Sequence, residues 1–535
     1  MMPSAKSDES QAPVQKLSTG ITSFDVIAKG GLPKHRTTLI SGTAGSGKTI
    51  FAMQFLAAGI ADSGEPGVFV TFEESADDIR KNMRSFGWDL AKWEREGKLA
   101  FVDASPDPMV ETVESGSFDL NALLARVQHA VKKVGATRVS VDSLGAMFSQ
   151  FSDQSIVRRE LFRIASALKS MNVTALLTAE RTEEYGPIAR FGVEEFIADN
   201  VMVLRNVLDV EVRRRTVEIL KFRGTDHQKG EYPFTIIAGE GIVVIPLSAI
   251  QLRQKSSNVR ISSGSSELDA MCGGGFFRDS VILVSGATGT GKTLTVTQFL
   301  AGGAAKGERC LLLAFEESRE QLFRNASGWG VDFDAMEQEG LLRVVCDYPE
   351  VVGLEDWLIT IQRVVTEFKP NRVALDSLSA LERVGSIKTF REFVIGVTSF
   401  IKQQEITGLF TATTSTLMGG SSITETHVST LTDSIILLRY VEMFGEMKRG
   451  LTVLKMRGSV HDKGIREFTV DAKGMHLGRR FRNVTGVLSG APMHVSPQEL
   501  ERVWTTFDEG LSERKRRPAD STVKDGRQND RRSSS

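Results

Sequence analysis

The sequence predicts two tandem α/β domains, each a mostly parallel sheet flanked by helices. Three observations point there. A glycine-rich turn of one pattern occurs twice, as SGTAGSGKT at 41–49 and SGATGTGKT at 285–293. The blocks around it recur in the same order. VFVTFEES (68–75) matches LLLAFEES (311–318), RVSVDSL (138–144) matches RVALDSL (372–378), and LKFRGTDHQKGEYPFTI (220–236) matches LKMRGSVHDKGIREFTV (454–470). Finally, short apolar runs alternate with helix-like stretches. Four blocks in one order mean a duplicated unit, and a unit of this size suits one α/β domain and not a solenoid repeat.

The elements follow in chain order. TTLIS and VILVS are apolar, stop at glycine and read as strands. VFVTF, LLLAF, RVSVD and RVALD read the same way, and fully apolar strands suit a parallel sheet covered on both faces. FDLNALLARVQHAVKKV (118–134) is a helix between two of them. The expected domains are 14–247 and 262–490, with a polar linker at 248–261 and a variable, partly disordered tail at 491–535 whose last part, 512–535, lacks apolar content.

Bulk composition narrows the function. Lys+Arg number 66 against Asp+Glu 67, whereas a chain built to coat nucleic acid usually carries a basic excess. Three cysteines make no disulfide framework and lack CxxC spacing; Cys310 and Cys346 read as buried thiols. The N-terminal MMPSAKSDESQAP has no apolar signal core and no run of 18 apolar residues follows, so a cytoplasmic location is expected, without a membrane span.

The glycine turns fit GxxxxGK[ST]. Glycines let backbone N–H groups converge on phosphate oxygens, the lysine reaches the β- and γ-phosphates, and the Ser/Thr hydroxyl ligates Mg²⁺. Gly42, Gly45, Ser46, Gly47, Lys48 and Thr49 form the first turn; Gly286, Thr288, Gly289, Thr290, Gly291, Lys292, Thr293 and Leu294 form and follow the second. ATP and Mg²⁺ are the expected ligands. Asp142 and Asp376 end apolar strands, where a carboxylate can hold the Mg²⁺ water shell or simply cap the next helix. Glu73–Glu74 and Glu316–Glu317 follow strands too. One of each pair can take a proton while its neighbour points the other way, or both can be solvated charges. KFRG and KMRG place Lys221 with Arg223 and Lys455 with Arg457 on one strand face. Far from their own glycine turns, they are either fingers for a neighbouring subunit's nucleotide or a solvated edge.

Taken together, MCGGGFFRDS, GATGTGKT, AFEES, DSLSAL, ITGLFTATTS, SITETHVSTLTDSIILLRYVE and KMRGSVHDK resemble the KaiC family of bacterial circadian-clock ATPases and autokinases, over residues 14–490. The resemblance implies RecA-like domains, a homohexameric double ring with nucleotide between subunits, a slow ATPase in the first domain and an autokinase/autophosphatase in the second. It implies phosphorylation at Ser429 and Thr430, with Thr424 accessory, and Glu316 as the activating base beside Glu317 that also assists Mg²⁺. Without the resemblance, Ser429 and Thr430 read as a turn or cap. The first copy has EEYGPIARFGVEEFIADNVMVLR at the matching place, with no Ser or Thr there.

Further nucleotide contacts implied by the resemblance are Ser85, Phe222, Thr225 and His227 in the first domain, and Trp329, Arg449, Met456, His461 and Lys463 in the second. Phe118, Asp119 and Leu120 match a loop that engages a KaiB-like partner, and a histidine-kinase-type output partner is implied as well. The tail PMHVSPQELERVWTTFDEGLSERKRRPADS departs from the KaiA-binding tail, which puts control by KaiA in doubt and points to a non-cyanobacterial branch where an hourglass-like timer is an alternative. A RecA-type DNA-dependent ATPase is the competing class; it shares the glycine turn, the acidic strand end and the oligomer.

Overall fold

The structure is a computed structural model. It describes residues 14–104, 120–148, 153–192, 194–245, 256–414, 428–443 and 445–481, together with a strand pair at Val484–Thr485 and Met493–His494. Each half is built on a nine-stranded sheet, and the two sheets have the same strand order. In the first, six parallel strands run from Leu99–Asp103 at one edge through Gly67–Thr71, Arg138–Asp142, Thr174–Glu180 and Thr37–Gly42 to Asn200–Asp209. Val212–Phe222, Glu231–Ile237 and Gly241–Val244 then add an antiparallel wing. The second sheet repeats this from Leu342–Cys346 to the wing strand Gly474–Arg480, with Val281–Gly286 in the place of Thr37–Gly42.

Near-continuous apolar runs become inner strands because helices cover both faces. Each domain accordingly has two hydrophobic clusters, one per face of its sheet. The helices Lys48–Asp62 and Lys292–Ala304 leave the glycine turns and are buried nearly all round, with Phe51 through Ile60 inside the first core. Gly47 and Gly291 begin them at φ 93° and 108°, a left-handed backbone in which a β-carbon is strained.

A buried arginine repeats in both halves. Arg372 is fully buried at the start of the strand Arg372–Asp376. Its Nη1 donates to the Ser262 and Phe299 carbonyls at 2.8 and 2.7 Å, Nε donates to Glu308 at 2.6 Å, and the guanidinium lies 4.8 Å from the Phe299 ring centroid. Arg138 does the same with Ser18, Phe55 and Glu65. Each arginine ties the entry segment of its domain to the phosphate-loop helix and to the acidic strand.

The halves meet where the first wing packs on the second domain's helices Leu354–Phe368 and Ile387–Gln403. Arg214 bridges Glu355 at 2.6 Å and Glu392 at 2.7 Å, the Thr389 hydroxyl donates to Asp209 at 2.9 Å, and Thr235 pairs with Asp356. Burial works against the Arg214 charge, but the two carboxylates outweigh it and raise its pKa. Ile245, with Val212, Ile237 and Val243 against it, joins the second domain's cluster.

Several sequence expectations change. Arg260–Ile261 pairs with Phe276–Phe277 as Lys16–Leu17 pairs with Leu32–Pro33, so the last residues of the expected linker belong to the second domain. The helix expected over 118–134 is described as Leu120–Val134. Cys272 and Cys310 are buried, and burial pushes both thiols up to about 12, whereas Cys346 is only half-buried. The tail beyond His494 lies outside the described residues. Among the described residues no helix is long and apolar enough to cross a membrane.

Replacing Arg372 with Met leaves the Glu308 carboxylate with Arg278 alone and two buried carbonyls without their donor. The expected cost is about 3–5 kcal/mol, the range for breaking one side of a buried ion pair. Urea unfolding checks it; a midpoint equal to the parent's would show that the arginine is dispensable to the fold.

Candidate active sites

Each glycine turn sits at the C-terminal end of a central strand, the edge where open α/β sheets bind ligands. Close packing leaves no room there for side chains: a β-carbon on Gly286 would lie 2.6 Å from the Leu438 carbonyl oxygen and 2.7 Å from Thr290 Oγ1. Lys48 Nζ donates to the carbonyls of Gly42 and Thr43 at 3.0 and 2.9 Å, and Lys292 to those of Gly286 and Ala287 at 3.1 Å each. Burial lowers the pKa of both lysines, against the pull of Asp142, Glu180, Glu73 and Glu184 on Lys48, and of Asp376 and Glu316 on Lys292.

Asp142 and Asp376 end the strand next but one to the phosphate-loop strand. Thr293 donates to Asp376 at 2.8 Å, and Thr411 also donates to it; Thr178 donates to Asp142. Burial raises both aspartates' pKa even though these hydroxyls favour the charged form. The glutamate pairs lie two residues past their strands and divide. Glu73 and Glu316 accept from Ser143 and Ser377 beside the aspartates, at 2.6 and 2.8 Å. Glu74 and Glu317 accept from Asn82 and Asn325 on the following helix, at 3.1 and 2.9 Å. Burial raises the Glu317 pKa, and the negative charge of Asp376 adds to that.

A cavity of about 380 Å³ brings together Thr288, Gly289, Gly291, Lys292, Thr293, Leu294, Glu316, Glu317, Trp329, Asp376 and Arg449. Its chemistry suits a triphosphate. Arg449 Nε, which lines it, is buried with no partner among the described residues. The hydroxyl of Thr293 beside Asp376 offers the oxygen donors that Mg²⁺ takes along with phosphate oxygens. Among the described residues no three His, Cys, Asp or Glu side chains group as a metal site. Sequence reading overlooked Arg215, the first-domain counterpart of Arg449, which donates to the Gly45 carbonyl at 3.1 Å. The aligned wing strands carried that signal.

Other expected contacts fall elsewhere. Ser46 and Thr290 are buried and donate to their own loop carbonyls, Thr43 and Ala287. The side chains of Phe222, Met456 and Leu294 are in the cores, so these residues reach a ligand only through their backbone. Ser85 is exposed and donates to the Asn82 carbonyl at 2.9 Å, and the His227 ring stacks edge-on against Phe222. Thr225 is half-buried and Lys463 exposed. Leu120, expected on a partner loop, opens the amphipathic helix Leu120–Val134 with its side chain in the core; Phe118, Asp119 and Thr424 lie outside the described residues.

The paired cations sit away from their own glycine turns. Lys455 is in register with Ile435 and, through it, with Leu283, three residues before Gly286 and so about 10 Å along the strand from the turn. Lys455 Nζ donates to the carbonyls of Ser429 and Thr432 at 2.7 and 2.8 Å, and Arg457 to that of Thr430 at 2.8 Å. In the first domain, Lys221 donates to the Glu195 and Ala198 carbonyls, and Arg223 pairs with Asp199. Burial lowers both lysines, and the adjacent arginine lowers them further.

A parallel sheet with a phosphate loop on a central strand, an acidic strand end near it and a glutamate pair beyond the next strand defines a P-loop ATPase domain, and this chain carries two in tandem. The family model described as "ATPase: KaiC" matches residues 17–249 and again 261–480. The chain is 66% identical over 504 residues to the "Circadian clock protein KaiC3" of Synechocystis sp., covering 94% of this chain and 100% of that protein. It is 59% identical to the "Circadian clock oscillator protein KaiC" of Thermostichus vulcanus, covering 93% and 95%, and 56% identical to that of Synechococcus elongatus, covering 93% and 96%. The chain belongs to the KaiC family: it is an ATPase and ATP-dependent Ser/Thr autokinase of the circadian-clock type.

Because burial holds the Asp376 pKa above its ordinary value, the charge costs stability at neutral pH. In nucleotide-free, chelated buffer, Asp376→Asn is expected to raise the melting temperature at pH 7. The gain should shrink as pH falls toward the ordinary aspartate value near ~4, where the parent carboxyl is protonated too. A variant that melts below the parent at pH 7 would reverse the sign.

Proposed function

We propose that the chain assembles as a homohexameric double ring with Mg²⁺·ATP held between subunits, that the first domain mainly hydrolyses ATP, and that the second transfers the terminal phosphoryl to Ser429 and Thr430. The observation that carries this reading is the placement of the acceptor segment. Lys455 and Arg457 hold Ser429–Thr432 by its carbonyls at a level of the sheet below the chain's own glycine turn. Intermolecular transfer follows naturally: the hydroxyls of one subunit meet the Glu316 site of the next. The first domain offers only Glu195–Asp199 at the same place, without a hydroxyl.

Mg²⁺ supplies charge neutralisation at the phosphates when bound. Thr293 and Asp376 would hold it in the second site, and Thr49 and Asp142 in the first. Lys292 would position the transferring group. Glu316, anchored by Ser377, takes the Ser429 or Thr430 proton as the hydroxyl oxygen bonds to phosphorus and the bond to the ADP oxygen breaks. The neighbour's Lys455 and Arg457 stabilise the charge that spreads over the transferring oxygens. A KaiB-like protein would dock on the first domain near Phe118–Leu120, and a histidine-kinase-type protein would read the phosphorylated state. The tail's departure from the KaiA-binding pattern supports a timer run without KaiA.

Incubation with Mg²⁺·ATP followed by mass-spectrometric mapping tests the acceptors; a chain unmodified at Ser429 and Thr430 after hours removes the reading. Glu316→Gln is expected to slow phosphorylation by about 100-fold or more, the scale of general-base catalysis. Lys48→Ala is expected to weaken both ring assembly, read by light scattering, and first-domain turnover. Parent-like values for both would remove that role.

A further inference from the structure

The helix that leaves each glutamate pair carries one retained side chain. Ala76–Met83 follows Glu73, Glu74 and the capping Ser75; Arg319–Gly328 follows Glu316, Glu317 and the capping Ser318. Aligned from their caps over the 8 positions of the shorter helix, the two share Asn82 with Asn325 and nothing else. Buried positions agree in kind alone, as Ile79 does with Leu322. Asparagine is a weak helix former because its amide competes for backbone groups, so helix propensity does not account for keeping it.

Its partner does. Asn325 Nδ2 donates to Glu317 Oε2 at 2.9 Å, and Asn82 Nδ2 to Glu74 Oε2 at 3.1 Å. The second-domain donor stands on a fixed support. Ser318 and Gln321 cap the helix reciprocally, the Ser318 amide donating to Gln321 Oε1 at 3.0 Å. Ala326, beside Asn325, is fully buried. Phe323 stacks edge-on against Phe333, and Arg319 Nη1 donates to Glu337 at 2.9 Å, which ties this helix to the next. One turn beyond Asn325, Trp329 ends the helix, and both side chains line the nucleotide cavity.

Glu316, Glu317 and Asp376 line that cavity together, with Lys292. Ser377 holds Glu316, and Thr293 and Thr411 hold Asp376. Glu317 is held by Asn325. Adjacent residues at a strand end point apart only while each side chain is kept in place. A Glu317 carboxylate free to swing would bring a second negative charge to Glu316, where an incoming hydroxyl and an anionic phosphate have to meet.

We propose that Asn325 is a positioning residue for phosphoryl transfer: it holds the Glu317 carboxylate against the helix and leaves Glu316 as the one carboxylate facing the acceptor hydroxyl. Asn325 acts through Glu317 and not on the phosphates. The proposal rests on the reading of Glu316, Ser429 and Thr430 put forward above.

The test uses the full chain with Mg²⁺·ATP and reads phosphate at Ser429 and Thr430 against time. Asn325→Leu keeps the shape and removes the donor. It is expected to lower the maximal rate by about tenfold or more, the scale of a small misplacement at a reacting centre, with the half-saturating ATP concentration within about twofold of the parent's. In a Glu317→Gln background the same substitution should lower the rate no further, because the charge it would release is already gone. An unchanged rate overturns the proposal. So does a loss that appears in the half-saturating concentration, which would make Asn325 a ligand-holding group. Equal losses in both backgrounds overturn it as well, since Asn325 would then act on something other than Glu317. If Asn325→Leu does not fold, Asn325→Ser, polar but too short to reach Glu317, is read in the same way. A parent chain that stays unmodified at both acceptors, or a Glu316→Gln chain phosphorylated at the parent rate, refutes instead the reading on which the proposal rests.

Discussion

A carboxyl group buried at the end of a parallel sheet is the constraint around which both halves are organised. Burying an aspartate is costly unless hydroxyls and a cation face it. Asp376 therefore brings with it Thr411 on the neighbouring strand, Thr293 at the start of the phosphate-loop helix, and Lys292 one residue earlier. These groups come from three elements, so they meet only if the strand order holds. Arg372 at the other end of the same strand pins that order by holding the entry segment and the phosphate-loop helix. One strand thus carries the structural anchor at its start and the chemical anchor at its end.

Duplication made two copies of this arrangement, and small changes around a shared frame distinguish their surroundings. The frame itself is nearly invariant: the same sheet order, the same lysine–carbonyl contacts, the same division of the glutamate pair between a serine and an asparagine. What varies is the edge of the pocket, where Glu180 and Gly145 stand against Thr413 and Ser379, and the segment held by the paired cations.

The two halves are also mechanically joined. Arg214 leaves the first domain's wing to bridge two glutamates on different helices of the second, and one of those helices, Ile387–Gln403, packs on the strand Thr407–Thr413 that neighbours the strand carrying Asp376. Breaking either pair would leave a half-buried charge unpaired, so the two domains settle into one relative arrangement within a subunit.

By itself the sequence determined the duplication, the α/β class and the residues of the glycine turns, because these rest on local signals: a repeated motif, apolar runs of strand length, and glycines that only a left-handed turn requires. It also placed Asp142, Asp376 and the glutamate pairs beside the turns, since strand ends in a parallel sheet share one edge. Tertiary structure alone decided which glutamate of each pair faces the aspartate, that Leu120, Phe222 and Met456 spend their side chains in the core, that Arg215 and Arg449 reach back to the glycine turns, and that Lys455 and Arg457 hold the backbone of residues 429–432. Each of these depends on contacts between residues far apart in the chain, and such pairings follow from strand order and register, which no local pattern encodes.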